Sequence, residues 1–231
     1  MAKILQIETS TQVCSVALSI DGKTVSLKEE SGQNLHASNL TLFIDEVIKN
    51  AGLTYRELDA VAVSKGPGSY TGLRIGVSTA KGLCYALDIP LIAVETLKMM
   101  AVGFLFEHPA YKGLACPMID ARRMEVYTSV FDAKLSVLET TSAKIIDENS
   151  FSEILSEHQM TFFGDGAAKC AEALNHENAF FNKDNFNSAG YMSLLADQAF
   201  KQADFEDVAY FEPFYLKDFV LTQPKRIKEQ G

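Results

Sequence analysis

The chain has 231 residues, 47% of them apolar and 22% charged, which is the balance of an ordinary globular protein with enough length for one large domain or two small lobes. No apolar run approaches the roughly 20 residues that a membrane-spanning helix needs, and acidic Glu8 arrives too early for a secretory signal, so a cytoplasmic location without membrane contact is expected. The net charge of −9 repels a phosphate backbone, which argues against nucleic-acid binding by this chain alone.

Residues 3–8 and 13–20 read as strands joined by the turn Thr9-Ser10-Thr11-Gln12. Asp21-Gly22 is a hairpin signal, and residues 23–30 supply a third strand. A helix is expected over residues 37–50, closed by Gly52 as a C-terminal cap. Residues 60–64 form a short apolar strand that runs into Lys65-Gly66-Pro67-Gly68-Ser69-Tyr70. A second helix covers residues 71–87, a strand follows at 91–94, and a third helix starts near Thr96.

The second half reads as a worn repetition of the first. Strands are expected at 114–119, 124–131, 144–146 and 161–164, with helices at 150–158, 167–175 and 189–202. The boundary is expected near Glu107-His108-Pro109, with an N-terminal lobe over 1–106 and a degenerate C-terminal lobe over 107–231 whose last segment packs back on the first. Two α/β lobes of mixed sheet flanked by helices, in tandem, describe the actin-like architecture shared with hexokinase and sugar kinases (the ASKHA fold).

Cys14, Cys84, Cys116 and Cys170 are widely spaced, form no C-x-x-C pair and sit among apolar neighbours, so they read as buried, reduced thiols. The basic cluster Lys225, Arg226 and Lys228 reads as a solvated tail.

The densest motif is Gly66-Pro67-Gly68-Ser69-Tyr70-Thr71-Gly72-Leu73-Arg74-Ile75-Gly76. A glycine-rich turn before a helix can cradle an anion, yet this one is neither a Walker loop nor G-x-G-x-x-G, and Pro67 removes an N–H. Gly72, Gly76 and Gly82 each cost about 0.8–1.0 kcal/mol relative to alanine inside a helix. Gly72, Gly76 and Ala80 line one side at a spacing of four, which suits either a groove for a partner helix or close packing within the lobe. In the preceding helix, Leu40, Ile44, Val47 and Ile48 make an apolar face that Leu42 and Phe43 widen, so burial on more than one side is expected. Together the two helices read as half of an intermolecular four-helix bundle. Gly76→Leu is then expected to leave the fold intact and abolish pairing.

Ile7-Glu8-Thr9-Ser10-Thr11, His36 opening a helix, the glycine motif above, Asp120-Ala121-Arg122-Arg123-Met124-Glu125-Val126-Tyr127 and Pro213-Phe214-Tyr215-Leu216-Lys217 together resemble the TsaB (YeaZ) family, in order and over nearly the whole chain. The resemblance implies a non-catalytic dimerisation subunit that pairs with the catalytic subunit TsaD and works with the ATPase TsaE. That assembly transfers a threonylcarbamoyl group to N6 of adenosine 37 in tRNAs reading codons that start with A. It implies a TsaB–TsaD interface on the two helices, at His36, Leu40, Phe43, Ile44, Val47, Gly72, Ile75, Gly76, Thr79 and Leu83. A homodimer through the same helices is expected when the partner is absent, and tRNA is met only through the complex.

Metal and transfer chemistry are expected in TsaD. Its metal-holding histidines, spaced i, i+4, correspond to Thr96 and Met100 here, neither a plausible ligand in that role. A vestigial nucleotide cleft is expected around Glu8, Thr9, Ser10, Gly66, Gly68, Asp120, Gly164 and Gly166. The family usually carries Asp where this chain has Glu8, and Asp120-Ala121-Arg122-Arg123 offers no glycine for a phosphate hairpin. No cofactor is therefore expected on the chain alone, with ATP or ADP at the interface of the assembled complex.

The second hypothesis is an enzyme of the sugar- or acetate-kinase type on the same fold. A serine hydrolase built on Ser10 or Ser69 has no G-x-S-x-G elbow and no implied His–Asp pair. Arg74 points to the cleft, to an interface or to solvent. Asp120 with Arg122 and Arg123 reads as a lobe-to-lobe ion pair, and Tyr215 and Leu216 as anchors of the C-terminal segment.

Overall fold

A computed structural model describes residues 1–32 and 34–217. The basic cluster at Lys225, Arg226 and Lys228 lies outside the described residues.

The first sheet is built by β1 (Lys3–Glu8), β2 (Val13–Ile20), β3 (Lys23–Ser31), β4 (Ala60–Gly66) and β5 (Leu91–Glu95), in the spatial order β3-β2-β1-β4-β5. The first three strands meander antiparallel, and β4 and β5 run parallel to β1. Asp21 and Gly22 join β2 to β3 with φ of 49° and 75°, the left-handed pair a two-residue hairpin of type I′ needs.

Helix α1 (Leu35–Asn50) follows β3 and ends in a Schellman motif. Leu53 N–H donates to Ile48 O at 3.1 Å and Gly52 N–H to Lys49 O at 2.9 Å, with Gly52 at φ 69°. Helix α2 (Tyr70–Leu87) follows β4, and the Ser69 hydroxyl caps its start by accepting from Gly72 N–H at 3.2 Å. Both helices pack on one face of the sheet, over Leu5, Ile7, Val16, Leu18, Val61 and Val63.

The opposite face is covered by α3 (Thr96–Glu107) and α5 (Ser193–Gln202). α3 is apolar on nearly every side because it lies between two sheets. Its Leu97, Met100 and Phe104 share one core with Ile4 and Val94 of the first sheet and Ile119, Phe131 and Phe163 of the second.

The second sheet comprises β6 (Leu114–Asp120), β7 (Glu125–Phe131), β8 (Val137–Ile145), β9 (Met160–Phe163) and β10 (Ala179–Phe181), in the order β10-β9-β6-β7-β8. It is the same arrangement again: a three-strand antiparallel meander, then two parallel strands beside its first member. A short helix, α4 (Ser152–Glu157), closes its outer core through Leu155. This duplicated topology is the actin-like fold.

Several expected elements differ from those observed. The helix expected at 167–175 is a single 3-10 turn, Ala168–Cys170. The helix expected from 189 begins as the 3-10 turn Ala189–Met192 and turns α-helical only at Ser193. The strand expected at 144–146 is the end of β8, which starts at Val137; its mostly half-exposed residues hide the alternation a strand search relies on, and three-residue β10 is too short to show a period.

Candidate partner interface and inter-sheet cleft

α1 and α2 lie side by side, and each has one face inside the protein. Leu40 is 2% exposed, Phe43 4%, Ile44 1% and Val47 0%, all in the core over the first sheet. These four therefore cannot reach a partner while the helix stays on its sheet, which corrects the interface expected from their hydrophobicity. Gly72 and Gly76 are corrected in the same way, since both are buried against the turn after β1. A β-carbon on Gly72 would fall inside the Thr9 carbonyl and 3.2 Å from His36 Cδ2, and one on Gly76 would fall inside Thr9 Oγ1. Thr9 Oγ1 itself donates to Gly72 O at 2.8 Å. Close packing within the chain explains these two glycines.

Ile75, Thr79 and Leu83 are half-buried, as is His36, whose Nε2–H donates to Thr11 O at 2.7 Å. The surface that remains outward is a different stripe. On α2 it is Thr71, Arg74, Ser78, Gly82 and Tyr85, spaced three or four apart; on α1 it includes Ser38, Thr41, Leu42 and Glu46. Tyr85 is 86% exposed and Leu42 64%. Among the described residues, and apart from its own helix backbone, no atom lies within 4 Å of a β-carbon built on Gly82, so none of them gives this glycine a packing reason. Its position outside the Gly72–Gly76–Ala80 series is the signal that distinguishes it in the sequence.

Glu8, Thr9 and Ser10 form the turn at the end of β1 and are fully buried. Glu8 Oε1 accepts from Ser10 N–H at 2.5 Å and from the Ser10 hydroxyl. Burial outweighs these bonds and pushes the Glu8 carboxyl above its usual range. Ser69 N–H donates to Ser10 O at 2.6 Å, and a β-carbon on Gly68 would lie 2.7 Å from Ser10 Cβ. Gly66, at φ 110°, faces the Phe214 carbonyl at 2.8 Å from its missing β-carbon. The glycines of this loop thus admit the chain's own backbone.

On the second sheet, a β-carbon on Gly164 would lie 2.5 Å from Met118 O, and one on Gly166 would lie 2.9 Å from the Ile119 carbonyl carbon. Asp120 pairs with Lys169 and accepts from Arg122 N–H at 3.1 Å. The ion pair therefore stays within the second sheet's half, which corrects the lobe-to-lobe pair expected with Arg122 and Arg123. Those arginines occupy a hairpin tip with φ of 71° and 50°. Desolvation raises the pKa of neighbouring Asp165, whose Oδ1 accepts from Asp120 N–H at 3.0 Å.

Between the two halves, the cavity bounded by Pro67, Gly68, Tyr70, Tyr127 and residues 214–217 is about 30 Å³. That volume is far below the roughly 300 Å³ at which small-molecule pockets begin. A larger, open hollow of about 270 Å³ lies elsewhere, beside Lys65, Glu95, Lys98, Gln198, Gln202 and Asp204, with Lys65 and Glu95 paired at 3.4 Å.

The TsaD family model, described as tRNA N6-adenosine threonylcarbamoyltransferase, matches residues 29–227. The tRNA threonylcarbamoyladenosine biosynthesis protein TsaB of Haemophilus influenzae is 31% identical over 235 residues, 94% of either chain. TsaB of Escherichia coli is also 31% identical, over 98% of this chain and all of its own. The chain belongs to the TsaB (YeaZ) family.

A solved structure from Pseudomonas aeruginosa, of a protein with similarity to peptidase YeaZ, superposes with a TM-score of 0.83 at 25% identity over 94% of this chain and all of its own. Likeness to the transferase itself is partial at the level of single proteins: that of Bacillus subtilis is 35% identical over 108 residues, 40% of this chain and 31% of its own length. In this TsaB-family chain Thr96 and Met100 are both fully buried, and the Met100 methyl lies 2.6 Å from where a β-carbon on Gly164 would stand. Among the described residues no group of three or more His, Cys, Asp or Glu is placed to hold a metal. The two candidate nucleophiles have other tasks: the Ser10 hydroxyl donates to Glu8, and Ser69 caps α2. Arg74 donates to Tyr70 Oη at 3.1 Å and lies over its ring at 5.3 Å, on the outward stripe of α2.

Proposed function

We propose that this chain is the non-catalytic, cytoplasmic subunit of the assembly that makes N6-threonylcarbamoyladenosine in tRNA, pairing with a TsaD-type transferase and serving it together with a TsaE-type ATPase. Its near-full-length TsaB relatives supply the pathway. The transferase chemistry and its metal belong to the partner, any ATP or ADP sits at the interface of the assembly, and tRNA is met only through the complex.

One observation carries the pairing: Gly82 is an open notch beside Tyr85, on the outer face of a helix that loses stability by having glycine there. A small residue flanked by an exposed aromatic lets a second helix approach closely and gives it an anchor. Partial likeness to the transferase suits a pseudo-symmetric pair in which equivalent helices meet, and two copies of this chain use the same face when the transferase is absent.

Co-expression with a TsaD-type transferase followed by size-exclusion chromatography tests this reading. The unaltered chain co-elutes; Gly82→Arg and Tyr85→Ala remain folded and do not. Co-elution unaffected by both changes removes the assigned face, and robust ATP turnover by the purified chain alone removes the non-catalytic role.

A further inference from the structure

One short segment of this chain touches both the glycine loop of the first sheet and the first hairpin of the second. Phe214 N–H donates to Lys65 O at 2.7 Å, adding one backbone bond at the end of β4. The Phe214 carbonyl stands against Gly66, at a distance only glycine tolerates. One residue later the Tyr215 ring lies 4.8 Å from that of Tyr70, inclined at 35°. Two residues beyond, the Lys217 ammonium pairs with the Glu125 carboxylate at the start of β7. Upstream, Lys81 Nζ donates to the carbonyls of Ala209 at 3.1 Å and Phe211 at 2.9 Å, tying the approach of the segment to α2. The first sheet's glycine loop and the second sheet's first hairpin are therefore joined by four consecutive residues, with space left for about one water molecule.

We infer that Phe214, Tyr215, Leu216 and Lys217 act as an intramolecular ligand of the inter-sheet cleft, a strap that occupies the nucleotide's place and holds the two sheets closed without one. The contacts divide the labour. The Phe214 backbone and the Tyr215 ring engage the first sheet, and the Lys217 charge engages the second. Losing either end removes the bridge that this segment makes between the two sheets at the cleft. The strap operates whether or not the outer face of α2 pairs with a transferase, so it stands or falls separately from the proposed function.

Hydrogen exchange on the full chain tests it, with and without millimolar magnesium-ATP. In the unaltered protein, exchange at residues 65–70 and 125–127 is expected to be the same in both conditions. In Tyr215→Ala/Lys217→Ala, exchange at both segments is expected to rise about tenfold, while α1 and β2 keep their protection. Tyr215 is half-buried and Lys217 exposed, so a folded double variant is expected; if it unfolds, Lys217→Ala alone decides, with a rise expected at 125–127. Protection of residues 65–70 by magnesium-ATP in the unaltered chain overturns the inference. So does a folded variant whose exchange is unchanged at both segments, or, where only the single variant folds, unchanged exchange at 125–127.

Discussion

The hydroxyl of Thr9 lies against the α-carbon of Gly76, inside the space a β-carbon would take, while donating to Gly72 O at 2.8 Å. This contact locks the turn after β1 onto the first half of α2. It also reverses the outcome expected for Gly76→Leu, which acts on the fold before it acts on any partner. Overpacking costs about 1–3 kcal/mol and occasionally more, against the helix-propensity gain of about 1 kcal/mol. Gly76→Ala is expected to lose about 1 kcal/mol and Gly76→Leu about 3 kcal/mol in urea unfolding.

Gly82 behaves in the opposite way. With no atom of the described residues beyond its own helix backbone within 4 Å of its β-carbon position, Gly82→Ala is expected to stabilise the isolated chain by about 0.8–1.0 kcal/mol, the plain helix-propensity difference. The same change is expected to weaken co-elution with a transferase partner. A variant that is no more stable in urea shows that Gly82 already packs on something within the chain.

Glu8 sets a pH dependence whose sign follows from its burial. Its folded pKa is raised above 4.5, so the folded state holds the proton more tightly than the unfolded chain. That contribution is fully present below pH 4.5 and is lost as pH rises through the folded value. Glu8→Gln keeps the acceptor for Ser10 and removes the charge. Its stability relative to the unaltered chain is expected to increase from pH 5 to pH 7.5 in parallel urea melts. A constant difference between the two proteins across that range counts against a desolvated carboxyl.

The thiols are expected to be silent in the native protein. All four cysteines are buried, with Cys116 pushed up to about 12 and Cys14 and Cys84 to about 11 by burial. A thiol-reactive chromophore at pH 8 should therefore label none in minutes and all four after denaturation. Rapid native labelling at any site contradicts its burial.

Much of the first half was legible because its signals are local. Asp21-Gly22 requires positive φ at both residues, and Gly52 closes α1 by a bond pattern only a few residues long. The second half was harder for the same reason. The Ala168–Cys170 turn carries a helix-like run of alanine, lysine and cysteine, yet its residues stop at one 3-10 turn and pack behind β9. Leu40, Phe43, Ile44 and Val47 show why the candidate interface was misplaced: hydrophobicity marks the arc of a helix that is covered and says nothing about which molecule covers it.

The sequence alone determined the alternation of strands and helices, the caps, the buried thiols and membership of a family, since each rests on residue types at short spacings. Tertiary structure alone decided which glycines face inward. Gly76 meets Thr9, 67 positions away along the chain, whereas Gly82, six residues on, meets none of the described residues outside its own helix. It also decided that Phe214, Tyr215, Leu216 and Lys217 fill the cleft between the sheets. A steric contact or an ion pair depends on distances in space, and helical periodicity fixes those only within one helix.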